Sequence, residues 1–467
     1  MLKSLIDTPK ELLELINLNL KPVQKEKQEN GEVFTSPKIV NEKLDNLDRY
    51  YKSIYNKSIF TISSLKWFDP ANGMSIFPVI IYLRLMEGLS EEFPDKNNRK
   101  KHIIENMLYM SEINKKNVLI TKQIFNLNND YKLNLYEGDT LNLNITDEWN
   151  IPLNSIDIVI GNPPYNKGGI KSHTGKKLGE KNLTIWTKFI EKSFNEFLKK
   201  DAFLVFITPL SWLKKSHSLH NIMLEKYIIW MKLWDNTQSK EMINADIPIS
   251  LFILQNSVNI DKKKTEIISI LKRRKITTFC TEYLNKLYSI PLAYHSIFNK
   301  LIRFIKQNNL QLDFYTKTVK SNGDKIILPQ LYTKDNLFGV DTYTIKDGII
   351  VKKLNEIHPD MNKRKLIIAN KSSFIGAFID EGQLGLTGSD KTYIMGDKLE
   401  LILKLLNFKI SNIISHFTKY RQDFLEKEVY TYLPDIRKLG LDDITEKQLY
   451  KLIGLSKEEI ISIYNAK

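Results

Sequence analysis

The chain has a single cysteine, Cys280, in 467 residues. A lone thiol excludes an internal disulfide and a multi-cysteine zinc site, and it points to a reducing compartment. Long apolar runs are also missing. The longest candidate, residues 76–86, is interrupted by Arg84 and falls short of the roughly 20 residues that a membrane helix needs. The opening Met1-Leu2-Lys3-Ser4-Leu5-Ile6-Asp7-Thr8 carries charge too early for a secretory signal, so a soluble, cytoplasmic protein without a membrane partner is expected. No internal repeat or low-complexity linker is found. Acids are outnumbered, with 54 Asp and Glu against 69 Lys and Arg; the formal net charge is +15 and the pI about 9.3. That balance favours a polyanionic partner such as nucleic acid. The length suggests two or three domains.

What is present is concentrated in Asn162-Pro163-Pro164-Tyr165, directly after the apolar run Ile156-Asp157-Ile158-Val159-Ile160-Gly161. A strand cannot continue through two prolines, because each lacks the ladder donor and restricts the residue before it, so the turn is stiff. The side-chain oxygen of Asn162 and the carbonyl of Pro163 are both acceptors and suit one NH2 group. Gripping both hydrogens draws the nitrogen lone pair out of conjugation, an interaction that strengthens as the nitrogen becomes tetrahedral. Tyr165 offers a π-face to the ring carrying that amine, worth roughly 1–3 kcal/mol per stacked base.

Three further segments stand upstream in order. Lys66-Trp67-Phe68-Asp69-Pro70-Ala71-Asn72-Gly73-Met74-Ser75 reads as a strand and a small-residue turn before a helix, a place for a nucleoside-bearing cofactor. A second strand, residues 107–111, ends at Glu112 and Ile113, with Glu112 placed to bind ribose hydroxyls. It lies 43 positions beyond Asp69 rather than the usual ~20, so the basic stretch 94–101 reads as an insertion or extra helix. A third strand end, Leu135-Tyr136-Glu137-Gly138-Asp139, offers Asp139 to an adenine amine. Taken singly, each acid also reads as a solvated loop residue; their order gives them weight.

With these pieces in line, the chain resembles gamma-class adenine-N6 DNA methyltransferases of the restriction-modification kind, which depend on S-adenosylmethionine. In that family a segment like Gly31-Glu32-Val33-Phe34-Thr35-Ser36-Pro37 precedes the D-P-x-x-G turn, the two acids and N-P-P-Y. Residues 204–212 and 244–252 are similar to later strands of its catalytic domain. The resemblance spans roughly residues 31–254 and implies an α/β fold: a Rossmann-like, mainly parallel methyltransferase sheet with helices on both faces, followed by a mixed α+β DNA-recognition domain. It implies that Phe34 and Thr35 hold the methionine part of the cofactor, Asp69, Ala71 and Gly73 the turn, Glu112 and Ile113 the ribose side, and Asp139 the adenine. Catalysis would rest on Asn162, Pro163, Pro164 and Tyr165, acting on an adenine flipped out of duplex DNA. No metal is implied. One departure stands out: the second glycine usual in D-P-x-x-G-x-G is Ser75, whose Cβ narrows the backbone approach.

Along the chain, residues 1–57 read helical, with Leu12, Leu13, Leu15 and Ile16 on an apolar face and Pro37 opening a second helix. A catalytic domain is expected over 1–260 and a DNA target-recognition domain over 261–467, the latter ending in two short helices broken at Gly454, with Ser456 capping the second. The boundary is marked by Asp261-Lys262-Lys263-Lys264 and Lys272-Arg273-Arg274-Lys275, of which Lys272, Arg273 and Arg274 are candidate phosphate contacts. The runs read equally as a solvated face. The glycine-rich basic loop 166–181 adds Lys167, Lys171, Lys176, Lys177 and His173 beside the clamp. Base-reading side chains are sought among Lys317, Lys320, Asn322, Lys371, Ser372, Lys391 and Tyr393.

Alternatives stay open. A protein-glutamine amide or an RNA base presents the same planar NH2, and a catalytically inactive DNA-specificity subunit would retain the fold. A fused nuclease finds little support. No Glu has Lys at the second following position, and Asp130-Tyr131-Lys132 and Asp261-Lys262-Lys263 fall in the proposed sheet and in a basic run. Cleavage that accompanies this protein would reside in a separate restriction endonuclease.

Overall fold

A computed structural model of the protein describes residues 5–8, 12, 35–166, 184–258, 264–271, 274–280, 284, 286–328, 337–369, 373–388, 391–420 and 425–466. The apolar face expected around Leu13, Leu15 and Ile16 lies outside them. Two compact units are present: Met1–Trp212 with His217–Lys286, and Leu213–Ser216 with Leu287–Lys467.

The first unit is built on nine strands: β1 (Trp67–Asp69), β2 (Leu108–Glu112), β3 (Asn134–Glu137), β4 (Ile156–Gly161), β5 (Leu198–Pro209), β6 (Lys226–Trp234), β7 (Ile249–Val258), β8 (Thr265–Leu271) and β9 (Arg274–Cys280). Their order across the sheet is β3-β2-β1-β4-β5-β7-β6-β8-β9. The pairs among β1 to β5 are parallel, β7 runs antiparallel between β5 and β6, and β9 is antiparallel to β8. The mainly parallel α/β sheet expected from the sequence is therefore present.

Local sequence explains the central strands. β4 is buried along its whole length, which is why it reads as an unbroken apolar run. Its one charged residue, Asp157, is satisfied: it accepts from the Lys66 N–H (2.9 Å) and pairs with Lys199. The apolar stretch that opens at Ile76 is the helix Ile76–Gly88, buried nearly all round. Among the described residues no helix is long and apolar enough to cross a membrane. The basic insertion forms the helix Lys96–His102, capped by Asp95, which lengthens the path from β1 to β2.

The compact unit continues past the boundary expected near residue 260. The change of pattern there begins an edge hairpin: β8 pairs parallel with β6, and its buried Thr265, Ile267, Ser269 and Leu271 alternate with half-exposed neighbours. A strand near a sheet edge alternates where a central one does not, and the basic runs that flank β8 in sequence, Lys262–Lys264 and Lys272–Lys275, mimic a linker.

The second unit holds two smaller sheets. One has the order β10-β12-β11-β15, with β10 (Ser321–Ile327), β11 (Phe338–Thr344), β12 (Gly348–Leu354) and β15 (Gly385–Leu386); the other is β14-β13-β16, with β13 (Lys365–Ile368), β14 (Ala377–Asp380) and β16 (Thr392–Met395). Val340, Val351, Ile367, Ala369, Leu384, Leu386 and Tyr393 form a common core. Asn322-Gly323-Asp324, which by composition reads as a turn, is an irregularity within β10, where the register shifts and Gly323 has φ +86°. Buried Lys365 pairs with buried Asp380 (2.7 Å), whose carboxylate also accepts from the backbone of Gln383 and Leu384. The helices Glu446–Ile453 and Lys457–Asn465 are separated at Gly454 (φ +76°), and Ser456 caps the second in a reciprocal box with Glu459.

Candidate functional site

The carboxyl ends of β1 and β4 lie side by side where the strand order turns, since the chain runs outward to β2 and β3 on one flank and to β5 on the other. Open α/β sheets present their crevice at such a point. Asp69 ends β1 and is 2 % exposed. Its Oδ1 accepts from the Ala71 N–H (3.0 Å), while Oδ2 is buried without a partner among the described residues. Burial pushes this carboxyl from its ordinary 3.8 up to about 7, against the Ala71 hydrogen bond and the charge of Lys43. A Cβ on Gly161 would stand 2.7 Å from Asp69 Oδ1, so only glycine lets β4 end beside the carboxylate.

The turn after Asp69 is held from β2. The Gly73 N–H donates to Glu112 Oε2 (2.6 Å), the Asn114 N–H to Glu112 Oε1 (2.7 Å) and the Asn72 N–H to the Ser111 carbonyl (3.0 Å). Gly73 has φ +54°. Ser75, at the position where the resemblance implies glycine, has a left-handed backbone with φ +64° and is fully buried. Its hydroxyl lies 2.7 Å from Thr121 Oγ1 and accepts from Asn72 Nδ2 (3.0 Å), so its side chain is spent inside the protein. Thr140 bonds to Ser111 (2.7 Å) and to the Pro70 carbonyl, drawing the end of β3 to β1 and β2. Beside it half-buried Asp139 accepts from the Leu141 N–H (3.0 Å). Ile113, next to Glu112, is 61 % exposed, an apolar surface at the mouth of this group.

The clamp sits at the end of β4. Asn162 Nδ2 donates to Thr35 Oγ1 (3.1 Å), and Asn162 Oδ1 is buried without a partner among the described residues. The amide is thus turned so that its acceptor is unused. Pro163 is buried and Pro164 half-buried. Tyr165 is 7 % exposed; its hydroxyl has no partner among the described residues, and burial pushes the phenol up. The Tyr165 carbonyl accepts from the Ile185 N–H (3.1 Å) and Asn166 bridges Thr184, which brackets the segment between them.

The structure thus brings Thr35, Asp69, Ala71, Gly73, Glu112 and Asn162 into one hydrogen-bonded neighbourhood with Gly161. Phe34, Lys167, Lys171, His173, Lys176, Lys177, Lys272 and Arg273 lie outside the described residues, as do Lys371 and Ser372; Arg274 begins β9. Two candidate base readers do not qualify: Tyr393 is fully buried and donates to Asp360 Oδ2 (2.5 Å), and Lys391 is 1 % exposed. Tyr393 lies in β16, where the consecutive residues Thr392, Tyr393 and Ile394 are all buried, and Lys391 stands directly before that strand, a burial that a Lys and a Tyr in a polar stretch do not betray. Lys317, Lys320 and Asn322 are exposed. Among the described residues no group of three or more His, Cys, Asp or Glu could hold a metal ion.

Sequence reasoning missed Lys43. It lies in the helix Pro37–Tyr55 and is fully buried, donating from Nζ to the carbonyls of Val205 (3.0 Å) and Gly161 (3.3 Å). The available signal was its place on the apolar stripe, four residues after Ile39 and four before Leu47.

Residues 82–240 match the family model of the Eco57I restriction-modification methylases, a stretch that holds Glu112, Asp139 and the whole of N-P-P-Y. A stretch of 94 residues is 32 % identical to an uncharacterized adenine-specific methylase of Mycoplasma pneumoniae; it covers 20 % of this chain and 21 % of that protein, about a fifth of the relative's length. Solved structures similar to the chain include a nuclease-deletion mutant of the Type ISP restriction-modification enzyme LlaGI with a DNA substrate mimic (12 % identity, TM-score 0.49, covering 91 % of this chain and 56 % of that one). Another is the Type IIL restriction-modification enzyme MmeI in complex with DNA (11 % identity, TM-score 0.46, covering 96 % and 78 %).

Proposed function

We propose that this chain transfers a methyl group from S-adenosylmethionine to the N6 amine of an adenine in a specific sequence of duplex DNA. The observation that carries the proposal is the amide of Asn162, oriented by Thr35 so that its Oδ1 is buried, has no partner among the described residues and is ready to accept from an NH2 group. An orphaned buried acceptor costs about 1–3 kcal/mol and is kept where a ligand satisfies it. The matched family model and the adenine-specific relative support the same chemistry.

The residues around β1 fit the donor. Asp69 has an unpartnered buried oxygen suited to the ammonium of the methionine part, Glu112 stands by for the ribose, and exposed Ile113 offers an apolar face to the purine. When bound, the donor supplies an electrophilic methyl on a sulfonium. Asn162 Oδ1 and the Pro163 carbonyl would accept hydrogen bonds from the two amine hydrogens, which localises the lone pair on the nitrogen as it bonds the methyl; the S–CH3 bond breaks with release of S-adenosylhomocysteine, and the surplus amine proton passes to solvent. The attacked amine is reached only after the base leaves the duplex stack. With Tyr165 only 7 % exposed, a base that stacks on it must first displace the neighbours covering the ring.

The test is to map methylated adenines in DNA from cells expressing the chain and from cells expressing Asn162→Ala. N6-methyladenine at one short motif is expected with the wild-type chain. In the variant, kcat should fall roughly 100- to 1,000-fold, the scale of a lost transition-state hydrogen bond, while calorimetry finds unchanged affinity for S-adenosylhomocysteine. Unmethylated DNA, or transfer to a peptide glutamine instead, sinks the proposal.

A further inference from the structure

Lys43 is an expensive residue where it stands. A lysine without exposed surface loses its hydration, and an apolar side chain of similar volume would serve the core as well or better. Burial holds its ammonium well below the ordinary range, while the charge of Asp69 opposes the shift. So costly a burial implies a role there that an apolar residue could not fill.

Its contacts supply one. Gly161 and Val205 lie on the neighbouring strands β4 and β5, where Val205 is in register with Ile160. The ammonium binds both carbonyls at this edge and stands 4.9 Å from the centre of the Phe77 ring, at the start of the helix Ile76–Gly88. The Gly161 carbonyl is half of the peptide whose nitrogen belongs to Asn162. Holding that oxygen fixes the peptide plane, and with it the direction in which the Asn162 side chain leaves the backbone. Thr35, just ahead of the same helix, holds the Asn162 amide from its other end. The helix and the residue just ahead of its cap thus grip the clamp twice, by backbone through Lys43 and by side chain through Thr35. Gly161 also bears the carboxylate of Asp69 against its Cα, so the residue that Lys43 holds is the one at which the proposed donor site and the clamp meet.

We infer that Lys43 is a positioning residue for methyl transfer, its buried ammonium fixing the peptide from which Asn162 projects. The inference rests on the proposed role of Asn162 as the amine clamp. Misplacing a reacting group by an ångström is enough to lower a rate about 100-fold, which makes the backbone hold worth its burial.

The test compares the wild-type chain with Lys43→Met, near in shape but without donors or charge. Expected are a kcat lowered roughly tenfold or more, a KM for DNA that stays within a few-fold, and faster hydrogen exchange in peptides spanning 156–166. A merely structural lysine predicts the opposite: a lowered melting temperature, with kcat per folded molecule and exchange over 156–166 as in the wild type, and that result overturns the inference. If Lys43→Met fails to fold, the double variant K43M/D69N removes Asp69's charge together with its counter-ion. Faster exchange over 156–166 than in D69N alone is then expected, and equal protection overturns the inference. Should the wild-type chain methylate no DNA, the functional proposal fails while the exchange comparison still decides the role of Lys43.

Discussion

At the scale of single residues, the site is a set of polar groups left partly unsatisfied. Asn162 Oδ1, Asp69 Oδ2 and the Tyr165 hydroxyl are buried without partners among the described residues, against a general rule that buried polar atoms are paired. Asp69 carries a measurable consequence. Its pKa rises from 3.8 to about 7 in the folded chain, so the native state keeps a proton that the unfolded chain releases. The stabilisation is full below the unfolded value and is lost as pH rises through about 7. In Asp69→Asn the fall of melting temperature across this window should flatten, as differential scanning fluorimetry would read; a slope equal to that of the wild type would show that Asp69 is ionised throughout. The stiff turn and its acceptors were legible at this scale, because N-P-P-Y constrains its own backbone and the acceptors follow from residue type. The orientation of the Asn162 amide was not, since it depends on Thr35, distant in the chain.

At the scale of elements, the turn after β1 shows how a local rule is broken and compensated. Ser75 occupies a left-handed conformation that costs a non-glycine residue about 1–2 kcal/mol, and it is offset by a buried hydroxyl bonded to Asn72 and Thr121. Ser75→Gly should relieve the strain yet remove one hydrogen bond from each of Asn72 and Thr121, which keep the bond between them (2.7 Å), and open a buried polar gap, a penalty of about 1–3 kcal/mol. Denaturant unfolding should therefore show a net loss of roughly 1 kcal/mol; a gain in stability would mean that the hydroxyl cluster contributes nothing. Elements specified by nearby residues were read correctly, as with Pro37 opening a helix, β4 as an apolar run, the helix inserted at Lys96–His102 and the Ser456 cap. The sheet runs on through β8 and β9 past the boundary expected near residue 260, because basic runs flanking a strand read as a break until its partner strand is known, and the Asn-Gly-Asp of β10 reads as a turn for the same reason.

At the scale of the whole molecule, the excess of positive charge is the property that bears on a partner. If the chain engages DNA through about six phosphates, the logarithm of affinity should fall linearly with the logarithm of salt, with a slope near −5 between roughly 50 and 200 mM. Fluorescence anisotropy against a labelled duplex reads that slope, and salt-independent binding would remove the polyanion argument. Much of this protein follows from its sequence alone: the stiff acceptor turn, the order of strand ends, the exclusion of disulfides and the net charge all depend on residue identity and short spacing. Only the tertiary structure decided which strand ends become neighbours, that Gly161 must lack a Cβ to admit Asp69, that Ser75 hides its side chain, and that Lys43 reaches from a helix to the carbonyls of β4 and β5. These contacts join residues far apart in the chain, and no local pattern encodes a distance that only the packing of a sheet against its helices creates.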